Sequence, residues 1–423
     1  MDTAKAQAKK GGTGVLIFLC WIVYTTSYLG KVNYSANITQ IIDYYNITKA
    51  QAGIAPTFFF FSYGIGQVIN GLLCKKYNIK WMIFSSLTVS AIINLIIAVS
   101  SDFSIVKWLW LVNGIVLSTL WPTIIRLITE VLPQKDLGKS SVIMGTTVAT
   151  GTLVIYGLSS LYAVFDKFKY AFFTAAYVGL FVSLCWLLLY NKIVKMAQRN
   201  SDDKPLPKED KQIIEQKPAM NIWEKRHFYM VIGVLIGCAI ATNLIKDGLT
   251  TWVPSILKDE YAMADSLSIL LTLFLPIVAI FGNFFALRVH IKIPDYISHC
   301  AAIFAIMLGF ILFIIGSLTF KVAVFLLIGL IVVNFLASSL NSLITSIFPM
   351  FMRGKVNSGL CAGILNGFCY VGSTISSYGL GAIADNFGWI SVFWVFVGCC
   401  SFLCLVWCVY IYLKHRWERK SKE

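Results

Sequence analysis

The sequence predicts an all-α polytopic membrane protein of about twelve transmembrane helices in two related halves. Three observations predict it. The chain of 423 residues is 58% hydrophobic and only 13% charged, whereas a soluble domain carries roughly 25% charged residues to meet water. Apolar runs of the length that spans a bilayer, about 20 residues, recur from end to end. Lysine and arginine collect in alternate connections between those runs, as the positive-inside rule requires. Backbone amides in hydrocarbon must be satisfied within the segment, which an open sheet cannot do, so the segments are helices.

In chain order, helices are expected near 13–35, 50–73, 81–100, 105–129, 140–163, 170–190, 228–256, 265–287, 296–317, 322–346, 354–383 and 388–413. The first apolar run begins near Val15, lacks a small-residue cleavage site and ends in YLGKVNYS, so it reads as a retained helix rather than a leader. The stretch 191–227 is charged, contains three prolines and has no long apolar run, so it reads as a linker between an N-terminal half (1–190) and a C-terminal half (228–423).

With the N-terminus inside, 26 of the 35 basic residues fall on inner segments and 6 on outer loops. That bias places both termini in the cytoplasm, in a plasma (inner) membrane, with an even number of crossings. It also assigns the net charge of +15 to topology rather than to nucleic acid. The eleven cysteines form no CxxC or CxxxxH arrangement, so neither a disulfide framework nor a metal site is expected. No HExxH, GxSxG or Walker loop is present, which argues against an enzyme, and no cofactor is predicted.

Three cations, Lys31, Arg126 and Lys246, lie inside expected spans. An ionisable group there costs roughly 2.5–3.5 kcal/mol on insertion scales and marks a functional site by default. Lys31 and Lys246 sit at similar depth on the first helix of each half. Two-fold pseudo-symmetry would turn both toward one central cavity, where like charges repel unless an anion lies between them. The alternative is that each lysine snorkels to the outer interface. Asp247 adjoins Lys246 and could neutralise it, although successive helical side chains diverge by about 100°.

Polar stripes accompany these lysines at helical spacing: Tyr24, Tyr28 and Lys31; Tyr63, Gln67 and Asn70; Asn334, Ser338, Asn341 and Thr345; Asn366, Tyr370, Ser373 and Ser377. Each stripe reads either as hydrogen-bonding glue between helices or as the wall of a hydrated pathway. Arg126 follows Trp121 and Pro122 and has Glu130 one turn on, a pairing open to a structural or a gating role.

These residues resemble the major facilitator superfamily and, within it, the organophosphate:inorganic phosphate antiporters, which carry glycerol phosphate and hexose phosphate. The resemblance rests on YTTSYLGKVN in helix 1, NGIVLSTLWPTIIR in helix 4, LIKDGLTTWVPSIL in helix 7, and AGILNGFCYVGS with IADNFGW in helix 11. It implies a twelve-helix bundle of two pseudo-symmetric six-helix halves working by alternating access. It also implies substrate contacts from Lys31, Lys246, Tyr24, Tyr28 and Tyr370, to which the polar stripes add Asn334, Asn341 and Asn366 as further candidates. Trp121, Arg126, Glu130 and Asp247 are candidates for gating or structural roles. The chain departs from the family pattern in having lysine where the antiporters have arginine, no helix 5 histidine, and Cys74 for the aspartate of the loop between helices 2 and 3.

The function expected is secondary active transport of a small organic anion (an organophosphate or a related phosphonate or carboxylate), by phosphate exchange or proton coupling. The partners expected are that anion and the lipid bilayer, and one chain suffices for the pathway, so it is expected to act as a monomer. A receptor for a phosphorylated sugar, or an exporter of acidic compounds, are the rival readings.

Overall fold

The structure, a computed structural model, describes residues 2–73, 76–199, 222–293, 295–351 and 358–420. Among them the order is α1 (Asp2–Ala36), α2 (Ile38–Tyr45), α3 (Lys49–Leu73), α4 (Ile79–Val99), α5 (Phe103–Leu117), α6 (Leu120–Val131), α7 (Gln134–Gly145), α8 (Thr147–Val164) and α9 (Lys169–Arg199). There follow α10 (Ile222–Tyr261), α11 (Asp265–Thr272), α12 (Phe274–Lys292), α13 (Tyr296–Thr319), α14 (Ala323–Ser342), a π turn (Leu343–Ile347), α15 (Phe348–Phe351) and α16 (Ser358–Lys420).

Among the described residues eleven helical runs are long and apolar enough to cross a membrane, and the last of them covers 54 residues. At 1.5 Å per residue that run is about 80 Å long, far beyond a hydrocarbon core of about 30 Å. It breaks at Gly388, whose φ of 78° a residue carrying a side chain rarely adopts. The run therefore supplies two crossings, which makes twelve among the described residues. Two spans the sequence reads as single helices are broken more mildly: α5 gives way to α6 at Ser118 and Thr119, and α11 to α12 at Leu273.

Burial runs opposite to that of a water-soluble protein. Asn33, Asn94, Asn113, Thr242 and His299 are fully enclosed, while Phe181, Leu188 and Phe402 are about two-thirds exposed. Lipid is the solvent that rewards this pattern.

The chain divides into two compact units. One comprises Met1–Ile41 with Phe58–Lys217, and the other Ile42–Thr57 with Pro218–Glu423. Residues 42–57, which the sequence placed with the first half, thus pack with the second. The reason is ionic and steric. Asp385 accepts from the backbone N–H groups of Lys49 and Ala50, at 3.2 and 2.7 Å, capping the start of α3. The Lys49 ammonium lies 3.2 Å from Asp259, which also accepts from Trp389 Nε1 at 2.9 Å. Lys258 bonds Asp43 at 2.6 Å and Asp265 at 3.1 Å. Gly53 lies so close to α16 that a Cβ there would stand 2.3 Å from the Ser377 carbonyl oxygen. Cys74, and residues 200–221 of the expected linker, lie outside the described residues.

Candidate functional site: two lysine clusters

In the first unit, Lys31 projects from α1 onto aromatic faces. Its Nζ stands 4.1 Å from the ring centre of Tyr63, 5.0 Å from that of Tyr28 and 5.6 Å from that of Phe59. Ring quadrupoles attract a cation there, at about 0.5–2 kcal/mol depending on how dry the site is. Tyr28 meets Tyr24 edge-on at 5.6 Å, and Tyr24 packs on Trp121 at 4.7 Å. Gln67 donates to the Tyr63 hydroxyl at 3.0 Å, which fixes the ring nearest the cation. Thus Tyr24, Tyr28, Lys31 and Trp121 are brought together, with Phe59 and Tyr63 completing the surround.

The rotation of α1 that aims Lys31 is set by a buried amide network. Asn113 and Asn94 both donate to the carbonyl of Gly30, at 2.9 and 3.3 Å. Asn33 donates to Asn94 at 2.8 Å, and Ser90 to Asn113 at 2.7 Å. Each amide here is enclosed, so removing one strands its partners at a cost of about 1–3 kcal/mol. On the other side of α1, a Cβ on Gly151 of α8 would fall 2.6 Å from both the Thr25 carbonyl oxygen and the Tyr28 Cβ, so only glycine lets α8 pack this closely.

In the second unit, Lys246 sits on α10 and pairs with Asp247 at 3.1 Å. Adjacent helical residues diverge, but the four-carbon lysine stem bends back far enough to close the gap. The other Asp247 oxygen accepts a short hydrogen bond from Ser373 of α16. α16 reaches α10 here because Gly372 has no side chain; a Cβ would lie 2.1 Å from the Ile240 carbonyl oxygen. One turn before Lys246, Asn243 donates to Asn341 at 3.1 Å, and the Cys369 thiol lies 3.6 Å from the same oxygen. Asn341 stands just ahead of the π turn, an irregularity often found at functional sites. Tyr370 and Asn366 are half-buried on the α16 face that carries Ser373.

The remaining candidates lie elsewhere. Asn334 is enclosed and donates to the Leu275 carbonyl at 2.8 Å, where it serves the break that opens α12. Arg126 bonds Glu130 through Nε at 2.6 Å and the Tyr77 carbonyl through a terminal nitrogen at 2.9 Å, joining α6 to the loop after α3. Among the described residues no group of three or more metal-ligating side chains occurs.

Sequence reading missed the Asn33–Asn94–Asn113 network, because single asparagines on three helices carry no periodic signal. Asn243 was detectable: it lies at i−3 from Lys246, hence on the same face.

The model of the Major Facilitator Superfamily matches residues 20–360. Among curated proteins, "Sugar phosphate exchanger 3" of Gallus gallus is 21% identical over 82% of this chain and 76% of its own length. A "Probable hexose phosphate transport protein" of Chlamydia trachomatis is 18% identical over 91% of this chain and 88% of its own. "Membrane sensor protein UhpC" of Escherichia coli is 20% identical over 41% of this chain and 40% of its own. Among solved structures, a bacterial homologue of the human lysosomal transporter Spinster superposes with a TM-score of 0.71 at 13% identity, covering 95% of this chain and 97% of that one. The nucleoside transporter NupG (D323A mutant) gives 0.67 at 15% identity, covering 92% and 99%. Similarity this low in identity shows the fold alone.

Proposed function

The chain belongs to the major facilitator superfamily, and from that premise we propose that it exchanges a small phosphate-bearing organic anion across a cell membrane by alternating access. Both termini then face the cytoplasm, as the 26-to-6 distribution of basic residues favours. The observation that carries the reading is the pair of lysine clusters, Lys31 of α1 against tyrosine rings and Lys246 of α10 one turn from the Asn243–Asn341 amides. A phosphate group needs cations plus several hydrogen-bond donors, and charge-assisted bonds of that kind contribute about 1.5–3 kcal/mol apiece. Lys31 and Lys246 supply the charge; Tyr24, Tyr28 and Tyr370 supply hydroxyls; Asn341 and Asn366 suit the uncharged part of the solute. The relatives named for sugar phosphates support an organophosphate over a plain carboxylate.

The cycle follows from the local chemistry. An arriving anion competes with Asp247 for Lys246, so binding frees the carboxylate, and release of the anion lets it return. Reconstituted protein in vesicles loaded with inorganic phosphate tests the proposal. Uptake of a labelled hexose phosphate that depends on the internal phosphate supports it; equal uptake from empty vesicles, or uptake of neutral sugar alone, contradicts it.

A receptor reading draws on the partial similarity to the membrane sensor. It predicts binding of the same phosphate ester with no flux in that assay.

A further inference from the structure

A cavity of about 470 Å³ opens in the first unit where α3 has returned the chain to the side of its N-terminus. Among the described residues Lys76, Asn78, Lys80, Arg126, Tyr190 and Asn191 line it, so of these three cations and no carboxylate face the space. Glu130 sits beside Arg126 and offsets one of the three charges. The walls are fixed. Arg126 holds the Tyr77 carbonyl, Trp186 Nε1 donates to the Lys80 carbonyl at 3.0 Å, and Asn78 caps α4 through the N–H of Trp81. The N-terminus of the 21-residue α4 thus opens into the same space and adds the positive end of its dipole.

Two further features place this cavity at a membrane–water boundary. Leu72 is 76% exposed on one side of it in sequence, and Trp81, 55% exposed, follows on the other. Exposed tryptophan is the residue that settles at the headgroup level. Basic cavities between helix ends on that side of a bilayer hold phosphate headgroups, and the Tyr190 hydroxyl and Asn191 amide provide neutral donors beside the cations.

We propose that this cavity binds a phosphate group, that of an anionic lipid headgroup or the same group free in the adjoining solution, at a site separate from the two lysine clusters. The proposal does not rest on the transport reading. Full-length protein incubated with phosphatidylglycerol or phosphatidylcholine and examined by native mass spectrometry tests the lipid source; a thermal-shift series with inorganic phosphate tests the soluble one. Wild-type protein and K31A are expected to retain phosphatidylglycerol over phosphatidylcholine, by about fivefold for each lysine that contributes. K76Q/K80Q is expected to retain the two lipids equally. A phosphate-induced shift that K31A keeps and K76Q/K80Q loses, with no lipid preference, assigns the same site to the soluble group. Should the double variant fail to fold, K76Q alone, at an exposed position, is expected to reduce the same signal. Equal retention of both lipids by wild-type protein, together with a phosphate response that the lysine variants leave intact, overturns the proposal.

Discussion

Lys31 and Lys246 occupy corresponding helices of the two halves, yet their surroundings differ in kind. Lys31 rests on the faces of Tyr28, Phe59 and Tyr63, whereas Lys246 is paired with Asp247, itself held by Ser373. Aromatic faces stabilise a cation without neutralising it. A carboxylate at 3.1 Å cancels most of the field that a substrate would meet. Under the proposed function the two positions would take different parts: Lys31 would meet the anion from a seat on aromatic rings, and Lys246 would exchange Asp247 for the anion.

The largest effect expected is loss of charge at either position. Lys31→Met and Lys246→Met should each lower phosphate-ester uptake by roughly tenfold to hundredfold, the value of one charge-assisted contact. Equal, near-normal uptake in both would break the comparison at its root. Asp247→Asn comes next. With the competing charge gone, the KM for the anion should fall several-fold while the exchange rate falls too, since nothing displaces the anion from Lys246. A higher KM would instead make Asp247 a support for the site. Tyr63→Leu should weaken binding by about two- to fivefold, in line with a partly solvated cation–π contact, while Tyr63→Phe stays close to wild type in affinity. If Phe is as damaging as Leu, the hydroxyl bonded to Gln67 matters more than the ring.

The smallest effect lies outside both clusters and guards the reading of Asp247 from a confounding pH dependence. Burial raises the Asp295 carboxyl, but hydrogen bonds from Ser298 and Tyr410 and the Lys414 ammonium outweigh it and hold the group below its ordinary range. A depressed carboxylate contributes stability above its unfolded pKa and loses it as pH falls through the folded one. Thermal stability should therefore decline below the ordinary carboxylate range, and Asp295→Asn should flatten that decline without altering the pH profile of transport near neutrality.

Much of this was legible in the sequence, because bilayer spans are written in long apolar runs and in the placement of lysine and arginine. The helical spans and the grouping of Tyr24 and Tyr28 with Lys31 follow from spacing along single helices. What spacing cannot give is partnership between helices. Asn334 shares a stripe with Asn341, yet it satisfies the Leu275 carbonyl while Asn341 meets Asn243. The neighbours Lys246 and Asp247 pair despite their angular separation, because side-chain length rather than helical phase decides it. Residues 42–57 join the second unit through Asp259, Lys258 and Asp385, charges more than 200 positions away in the chain that no local pattern connects to Lys49 or Asp43.

The central claim is that both lysines act on one anion. A double-mutant cycle on equilibrium binding of a hexose phosphate, using Lys31→Met, Lys246→Met and the pair, addresses it directly, since groups that share a partner couple by about 0.5–3 kcal/mol whereas distant, independent ones add. The account predicts that the second substitution costs far less than the first; strictly additive losses would contradict it.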